Sequence, residues 1–318
     1  IRNHELSPDQ GPELGPFGPN YERLKYIQAD WLYDYGKGTL PGAGGTTSFI
    51  YNYKARKIEH QFMSLFGTNF NCSGGVTPWG SWLSCEEDMT SKGDFNGKME
   101  KDHGYVFEVK ATTKRNIKPP RPLKGLGRFT HEAVCIDPET GIVYLTEDVH
   151  DSLIYRFIPN VKGDIEKGGK LQALVFKGQP TFDTRNWPEN EDRMELQTKY
   201  DVEWVDLADT DPEDDSLRYE GMEKGAAIFA RGEGIWFDKN EFYFACTSGG
   251  RSKTGQIFRY RLSPYEGQHM ESENPAQLEI FIQPDNQELM SYCDNLTVAP
   301  WGDVLLCEDQ PRPHLLGI

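Results

Sequence analysis

The sequence predicts an all-β fold, a β-propeller of four-stranded blades. Three observations carry this: one pattern of strands and turns recurs along the 318 residues, acidic or thiol residues occupy the same positions in each copy, and the composition suits short strands joined by tight turns. The clearest copy runs from Val76-Thr77-Pro78-Trp79-Gly80 to Cys85-Glu86-Glu87. Its counterpart runs from Val298-Ala299-Pro300-Trp301-Gly302 to Cys307-Glu308-Asp309, at a constant shift of 222 residues. A third copy reads Asp137-Pro138-Glu139-Thr140-Gly141, then Ile142-Val143-Tyr144-Leu145, then Glu147-Asp148. A fourth reads Phe237-Asp238-Lys239-Asn240, then Phe242-Tyr243-Phe244, then Cys246-Thr247. A lectin-like sandwich is the competing all-β arrangement, but it gives no reason for a turn and an acidic pair to recur in step.

Within each copy the innermost strand starts at a small or acidic residue, as in 132–136, 233–237 and 294–298. A turn rich in Asp, Pro, Gly or Asn follows, then a largely apolar second strand. After the acidic pair comes a third strand with a central aromatic, at 103–109, 153–157 and 256–260. Weaker fourth strands lie at 171–176 and 278–282. Seven Trp, fifteen Tyr and seventeen Phe supply the core, and thirty-two Gly and twenty Pro the turns. About five blades can be traced, with six expected in full. The chain opens on Ile1-Arg2-Asn3-His4-Glu5 and closes on Leu315-Leu316-Gly317-Ile318, both of which read as truncated repeat strands. A single domain over 1–318 is expected, interrupted at 160–229 by an insertion packed over one face. That insertion holds an acidic run at 206–215, read as a solvated loop, and a helix-prone stretch at 216–229.

The net charge of -16 argues against nucleic acid and anionic membrane as partners, since both need a basic face. No apolar run is long enough to cross a bilayer. An anionic substrate would be repelled unless bound cations reverse the sign locally. The six cysteines show no Cys-x-x-Cys spacing and the seven histidines no His-Glu-x-x-His. Any metal must rest mainly on carboxylates, which points to hard cations rather than zinc.

In a blade, the start of the innermost strand and the end of the second lie on one face. The constant shift puts Cys72 and Asp294 on one equivalent position, and Glu132 and Glu233 align with them to within about a residue. Cys85, Glu86, Glu147 and Glu308 fall at the ends of second strands near that face, with Glu5 beside them. Crowded carboxylates repel unless some are protonated or cations bind. Oxygen-rich clusters suit calcium or ferric iron, and a thiolate adds a ligand that calcium does not choose. The plainer alternative for any one acidic pair is a turn or cap device, and for Cys135, Cys246 and Cys307 a place in the core. In Arg231-Gly232-Glu233-Gly234 a guanidinium stands beside a metal-ligand candidate. Such a pair fits an anion clamped between cation and Arg, a phosphoryl or carboxylate group, or else a simple ion pair with a neighbouring carboxylate.

The stretch Asn71-Cys72-Ser73-Gly74-Gly75-Val76-Thr77-Pro78-Trp79-Gly80-Ser81-Trp82-Leu83-Ser84-Cys85-Glu86-Glu87 resembles the signature of the PhoX-type alkaline phosphatases. So do Arg2-Asn3-His4-Glu5, Phe129-Thr130-His131-Glu132-Ala133-Val134, Tyr144-Leu145-Thr146-Glu147-Asp148, Ala230-Arg231-Gly232-Glu233-Gly234 and Leu306-Cys307-Glu308-Asp309. The resemblance implies a propeller phosphatase with an iron (Fe3+) and calcium (Ca2+) cluster bridged by an oxo group. It implies twin-arginine export to the periplasm or beyond, and hydrolysis of small phosphomonoesters to scavenge phosphate. Carried over, Cys72 or Cys85 is the thiolate on iron, with Cys72 preferred because it starts an inner strand. Glu132, Glu233 and Asp294 are carboxylate ligands, and Glu86, Glu147 and Glu308 calcium or supporting residues. Arg231 clamps the phosphoryl group, and His131 is a candidate proton donor or a structural residue. The implied mechanism is in-line attack on phosphorus by a metal-bound oxide or hydroxide in a monomeric enzyme. A calcium-dependent lactonase or phosphotriesterase, and a non-catalytic propeller held together by calcium, are the competing functions.

Overall fold

Short runs of β-branched and aromatic residues make the strands here, and Gly, Pro, Asn and Asp end them. The computed structural model describes residues 1–115 and 117–318, with eighteen strands among them. The chain falls into two compact units where one domain was expected. The first comprises residues 1–124, 128–131 and 213–215, the second 125–127, 132–212 and 216–318.

The first unit holds two three-stranded antiparallel sheets. One joins β1 (Arg2–His4), β2 (Gly45–Asn52) and β3 (Lys57–Phe66); the other joins β4 (Asn71–Val76), β5 (Ser81–Glu86) and β6 (Val106–Lys110). Tyr33, Leu65, Tyr105, Phe107 and Val109 pack together in its interior, and Phe17, Leu24, Leu32 and Phe66 form a second cluster.

The second unit contains β7 (His131–Ile136) from Glu132 onwards, β8 (Val143–Glu147), β9 (Ile154–Pro159) and β10 (Gly169–Phe176), laid out in sequence order as a blade. The turn between β7 and β8 closes on Asp137, whose carboxylate accepts the backbone N–H groups of Glu139 and Thr140. A second blade follows in β12 (Gly232–Asp238), β13 (Glu241–Cys246), β14 (Gln256–Arg261) and β15 (Ala276–Ile282), and a three-stranded sheet in β16 (Cys293–Val298), β17 (Val304–Glu308) and β18 (Leu315–Gly317). Cross-strand partners on β13 and β14 are also ring partners: Phe244 stacks on Phe258 at 4.9 Å and Phe242 on Tyr260 at 4.5 Å. Such pairs add about 0.5–1.5 kcal/mol each beyond their buried area. They sit in an apolar core with Tyr144, Phe176 and Phe229.

Segment 160–229, expected over one face, enters the sheet. Besides β10 it supplies β11 (Tyr200–Asp206), which pairs with β10 on one side and β15 on the other and joins the two blades into nine strands. The physical reason lies in the alternation of Val202 and Trp204 with Asp201 and Glu203, a strand pattern in a stretch for which no strand was expected. The helix expected in 216–229 spans Leu217–Glu223, and Asp209, Asp211, Glu213 and Asp214 of the acidic run are exposed. Cys135 and Cys246 are buried core residues as expected, but Cys307 is exposed. Its neighbours Leu306 and Glu308 are buried, so strand alternation turns Cys307 to the other face.

Candidate functional site

Three inner strands repeat one backbone device. Phe70, Arg231 and Tyr292 hold left-handed backbone, with φ of 44°, 55° and 54°. Their N–H groups donate to the carbonyls of Leu6, Val149 and Thr254, and their carbonyls accept from the N–H groups of Glu87, Thr247 and Asp309. For non-glycine residues that conformation costs about 1–2 kcal/mol, and the paired backbone bonds hold it in place. Immediately afterwards each strand carries a bulge. The ladder gains one residue between Asn71 and Gly74, between Gly232 and Ile235, and between Cys293 and Leu296. Cys72, Glu233 and Asp294 lie inside these bulges, which break the alternation and re-aim their side chains.

In the first unit the ligand atoms of Glu5, Cys72 and Glu87 all lie within 4.8 Å of one another; Glu5 is exposed and the other two half-buried. In the second, those of Glu132, Glu233 and Asp294 likewise lie within 4.8 Å of one another, with both glutamates buried. Thr146 helps bring these together. Its hydroxyl donates to the Glu233 carbonyl (2.6 Å) and accepts the Ala133 N–H (3.1 Å), so the end of β8 is tied to both β7 and β12. Close approach of β12 to β16 depends on Gly234, where a Cβ would lie 2.6 Å from Asn295 Cα and 2.8 Å from Leu296 N. Backbone atoms cannot swing aside. Gly234→Ala is therefore expected to destabilise the protein by about 1–3 kcal/mol, the usual cost of overpacking, read as a lower melting temperature. An unchanged melt would show that the two strands can separate freely.

The second set is electrostatically unfavourable by itself. Burial pushes the Glu233 carboxyl well above the usual carboxylate range, helped by the charges of Glu132, Asp148 and Asp294, while Arg231 opposes the shift without overcoming it. A carboxyl that holds a proton so strongly in a crowd of carboxylates is a fitting metal-ligand donor, because a cation takes over the role of that proton. The first set offers two carboxylates and a thiol, a donor mixture that accommodates iron. Arg231 stands at the edge of the second set. Its Nε and Nη2 form a two-pronged bond with Asp148 (both 2.7 Å), and Nη2 is 3.2 Å from Glu233. The guanidinium is thus paired with neighbouring carboxylates, yet 35% of the side chain stays exposed.

The remaining sequence candidates have other places. Glu86 accepts backbone N–H groups from Asn69, Gly104 and Tyr105 and faces His103 Nδ1 at 2.7 Å. Glu147 accepts the Leu153 N–H and the Tyr155 hydroxyl, both at 2.9 Å. Glu308 accepts the N–H groups of Ser291 and His314 and the Gln310 amide. Among the described residues none of the three joins either set. Each fastens a loop to the end of its strand, the capping role that was the plainer alternative. The next residues, Glu87 and Asp148, point the other way, Glu87 to Glu5 and Cys72 and Asp148 to Arg231; nothing in the sequence sets either apart from its neighbour. Cys85 is fully buried in β5 and joins neither set. His131 is fully buried with its ring 3.6 Å from that of Phe129.

The family model described as alkaline phosphatase PhoX matches residues 42–317. The chain belongs to the PhoX alkaline phosphatase family. Its structure is similar to that of Pseudomonas fluorescens PhoX in complex with vanadate, a transition state analogue, with a TM-score of 0.58 and 18% identity. That match covers 86% of this chain and 64% of the other, so the chain spans less than two thirds of the Pseudomonas fluorescens structure. Two further structures score lower. One is a glucose dehydrogenase (TM-score 0.45, 12% identity, 88% of this chain and 75% of that one). The other is the soluble aldose sugar dehydrogenase from Escherichia coli in the apo-form (0.43, 11%, 86% and 73%). No curated protein matches the sequence. The all-β, propeller-type fold expected from the sequence agrees with the blades described above and with the likeness to the PhoX structure. Among the described residues no helix is long and apolar enough to cross a membrane.

Proposed function

We propose that the protein is a metal-dependent phosphomonoesterase, a monomer acting on small phosphate esters in the periplasm or outside the cell. The observation that carries this reading is Arg231, aligned by Asp148 at the edge of the Glu132–Glu233–Asp294 set. A partly exposed guanidinium beside grouped metal-ligand candidates is the arrangement that receives a phosphoryl dianion.

Glu132, Glu233 and Asp294 would hold cations in the second unit, and Glu5, Cys72 and Glu87 in the first, with Cys72 favouring iron and the carboxylates calcium or iron. When bound, these cations supply Lewis acidity to phosphoryl oxygens and lower the pKa of water. Arg231 binds the equatorial oxygens, whose charge is spread most widely in the transition state. Asp148 keeps the guanidinium plane fixed, so little rotamer freedom is lost when substrate arrives. Glu147 holds the Leu153 end of the loop that follows Asp148. The oxygen of water joins phosphorus as the bond to the leaving oxygen, on the opposite side, breaks; the leaving oxygen takes up a proton of that water, and the alcohol departs towards solvent.

Elemental analysis of protein purified without chelator, paired with an assay on p-nitrophenyl phosphate, tests the proposal. Iron at stoichiometric level, calcium in excess and phosphate release are expected, with iron lost in Cys72→Ala. Calcium alone without phosphate release would point to the lactonase-like or non-catalytic alternative, and a Cys72→Ala protein with full iron would remove the thiolate from the site.

A further inference from the structure

The left-handed position before each bulge suits glycine or asparagine, yet bulky side chains fill it. One of them, Arg231, is the phosphoryl clamp proposed above. Tyr292 occupies the matching place on the neighbouring strand. Each lies two residues before a carboxylate of the same set, Arg231 before Glu233 and Tyr292 before Asp294. Their φ angles differ by one degree, 55° against 54°. Each accepts at its carbonyl the N–H of the residue just past the second strand, Thr247 in one case and Asp309 in the other. The two strands run side by side in step, Glu233 against Asp294 and Gly234 against Asn295. Two residues back along each strand, Arg231 and Tyr292 hold matching positions, both before the bulge that carries the carboxylate.

The fold makes little internal use of the Tyr292 ring. It is 41% exposed and lies outside the apolar cluster of this region, which takes in Tyr243, Cys293 and Leu296. Its hydroxyl makes no hydrogen bond to any described residue. An exposed aromatic held on unfavourable backbone, at the position that matches the anion clamp and two residues before a carboxylate of the same set, suits contact with the part of the substrate that is not phosphate. We infer that Tyr292 binds the leaving group, and that the enzyme favours phosphomonoesters whose leaving group carries an aromatic ring, such as aryl alcohols or nucleosides. A neutral ring adds this attraction without disturbing the charge balance of the metal site. The assignment rests on the phosphatase reading.

The test compares binding of phenylphosphonate and methylphosphonate to the metal-loaded enzyme by calorimetry. Both present the same anion, and only the first presents a ring. The wild-type protein is expected to bind phenylphosphonate about tenfold more tightly, equivalent to ~1.4 kcal/mol. Tyr292→Ala should erase that preference while leaving methylphosphonate affinity unchanged, and Tyr292→Phe should retain it. Tyr292→Asn, which suits the backbone, should erase the preference in a protein at least as heat-stable as the wild type. Alanine and asparagine variants that keep the preference, or that lose affinity for both ligands alike, would overturn the assignment. A wild-type enzyme that hydrolyses phosphomonoesters with no preference for the ring overturns it alone. A wild-type protein that binds neither phosphonate and hydrolyses no phosphomonoester overturns the phosphatase reading, and Tyr292 falls with it.

Discussion

Arg231→Ala is expected to lower kcat for p-nitrophenyl phosphate by about 10²–10³-fold, the loss seen when one fixed donor to a developing oxyanion is removed. The reasoning is geometric. Asp148 grips the Nε and Nη2 edge of the guanidinium at 2.7 Å, which orients a rigid, planar cation before substrate arrives. KM should change less than kcat, because the rigid, planar guanidinium fits the flattened phosphoryl group of the transition state better than the tetrahedral ester. Arg231→Lys should recover only a small part of the rate, since an ammonium cannot form the two-pronged bond to Asp148. Steady-state kinetics on metal-loaded protein decides the matter. Turnover near the wild-type value in the alanine variant would reduce Arg231 to a partner of Asp148 and Glu233.

The second large effect concerns stability. His103 is fully buried between Glu86, 2.7 Å from Nδ1, and Asp34, 3.5 Å from Nε2. Burial disfavours its charge, but the Glu86 charge and the bonds to both carboxylates outweigh burial and push the imidazole up to about 10. The raised value means that the folded state binds the proton more tightly than the unfolded chain, whose histidine titrates near 6.5. The resulting stabilisation is complete below about pH 6.5 and is lost as pH rises through about 10. Asp34 behaves oppositely. Burial raises it, but its bonds to His103 and to the N–H groups of Gly36, Lys101 and Glu100 prevail and hold it below 3.8, so its contribution fades only in acid. His103→Leu is expected to destabilise the protein at pH 7 by about 3–5 kcal/mol, since it leaves two carboxylates buried without their cation. It should also flatten the decline in stability between pH 7 and 10. Thermal melts across that range check both, and a variant with a wild-type slope would show that His103 is neutral in the fold.

Much of this fold could be read before any coordinates. Inner strands expected at 132–136, 233–237 and 294–298 begin one residue earlier, at His131, Gly232 and Cys293. The repeating turns and aromatic centres made that possible, because each blade satisfies the same packing. The candidate site was legible in part. Glu132, Glu233 and Asp294 were expected together and form one set; Cys72 and Glu5 form another, with Glu87. What the sequence concealed was direction. Neighbouring residues on a strand face opposite ways, so only one member of Glu86-Glu87 or Glu147-Asp148 can face a site, and pattern alone does not say which. The bulges hid a second element: an extra residue reverses the alternation, and nothing in Cys72-Ser73 or Asp294-Asn295 marks its place. β11 was missed because its alternation covers only seven residues amid charged loop.

Strand β11 also bears on how safely this protein can exist at high concentration. Without it, β10 and β15 would each present a row of unsatisfied N–H and C=O groups, the adhesive edge on which foreign strands assemble. One strand caps both: Gln172 to Phe176 of β10 along one side, and Ala276 to Leu278 of β15 along the other. Its own exposed residues include Asp201 and Asp206, whose charges discourage further pairing. A protease cut near residue 200 would therefore do more than loosen a loop. If the cut freed β11, it would uncover two sticky margins together and favour self-association.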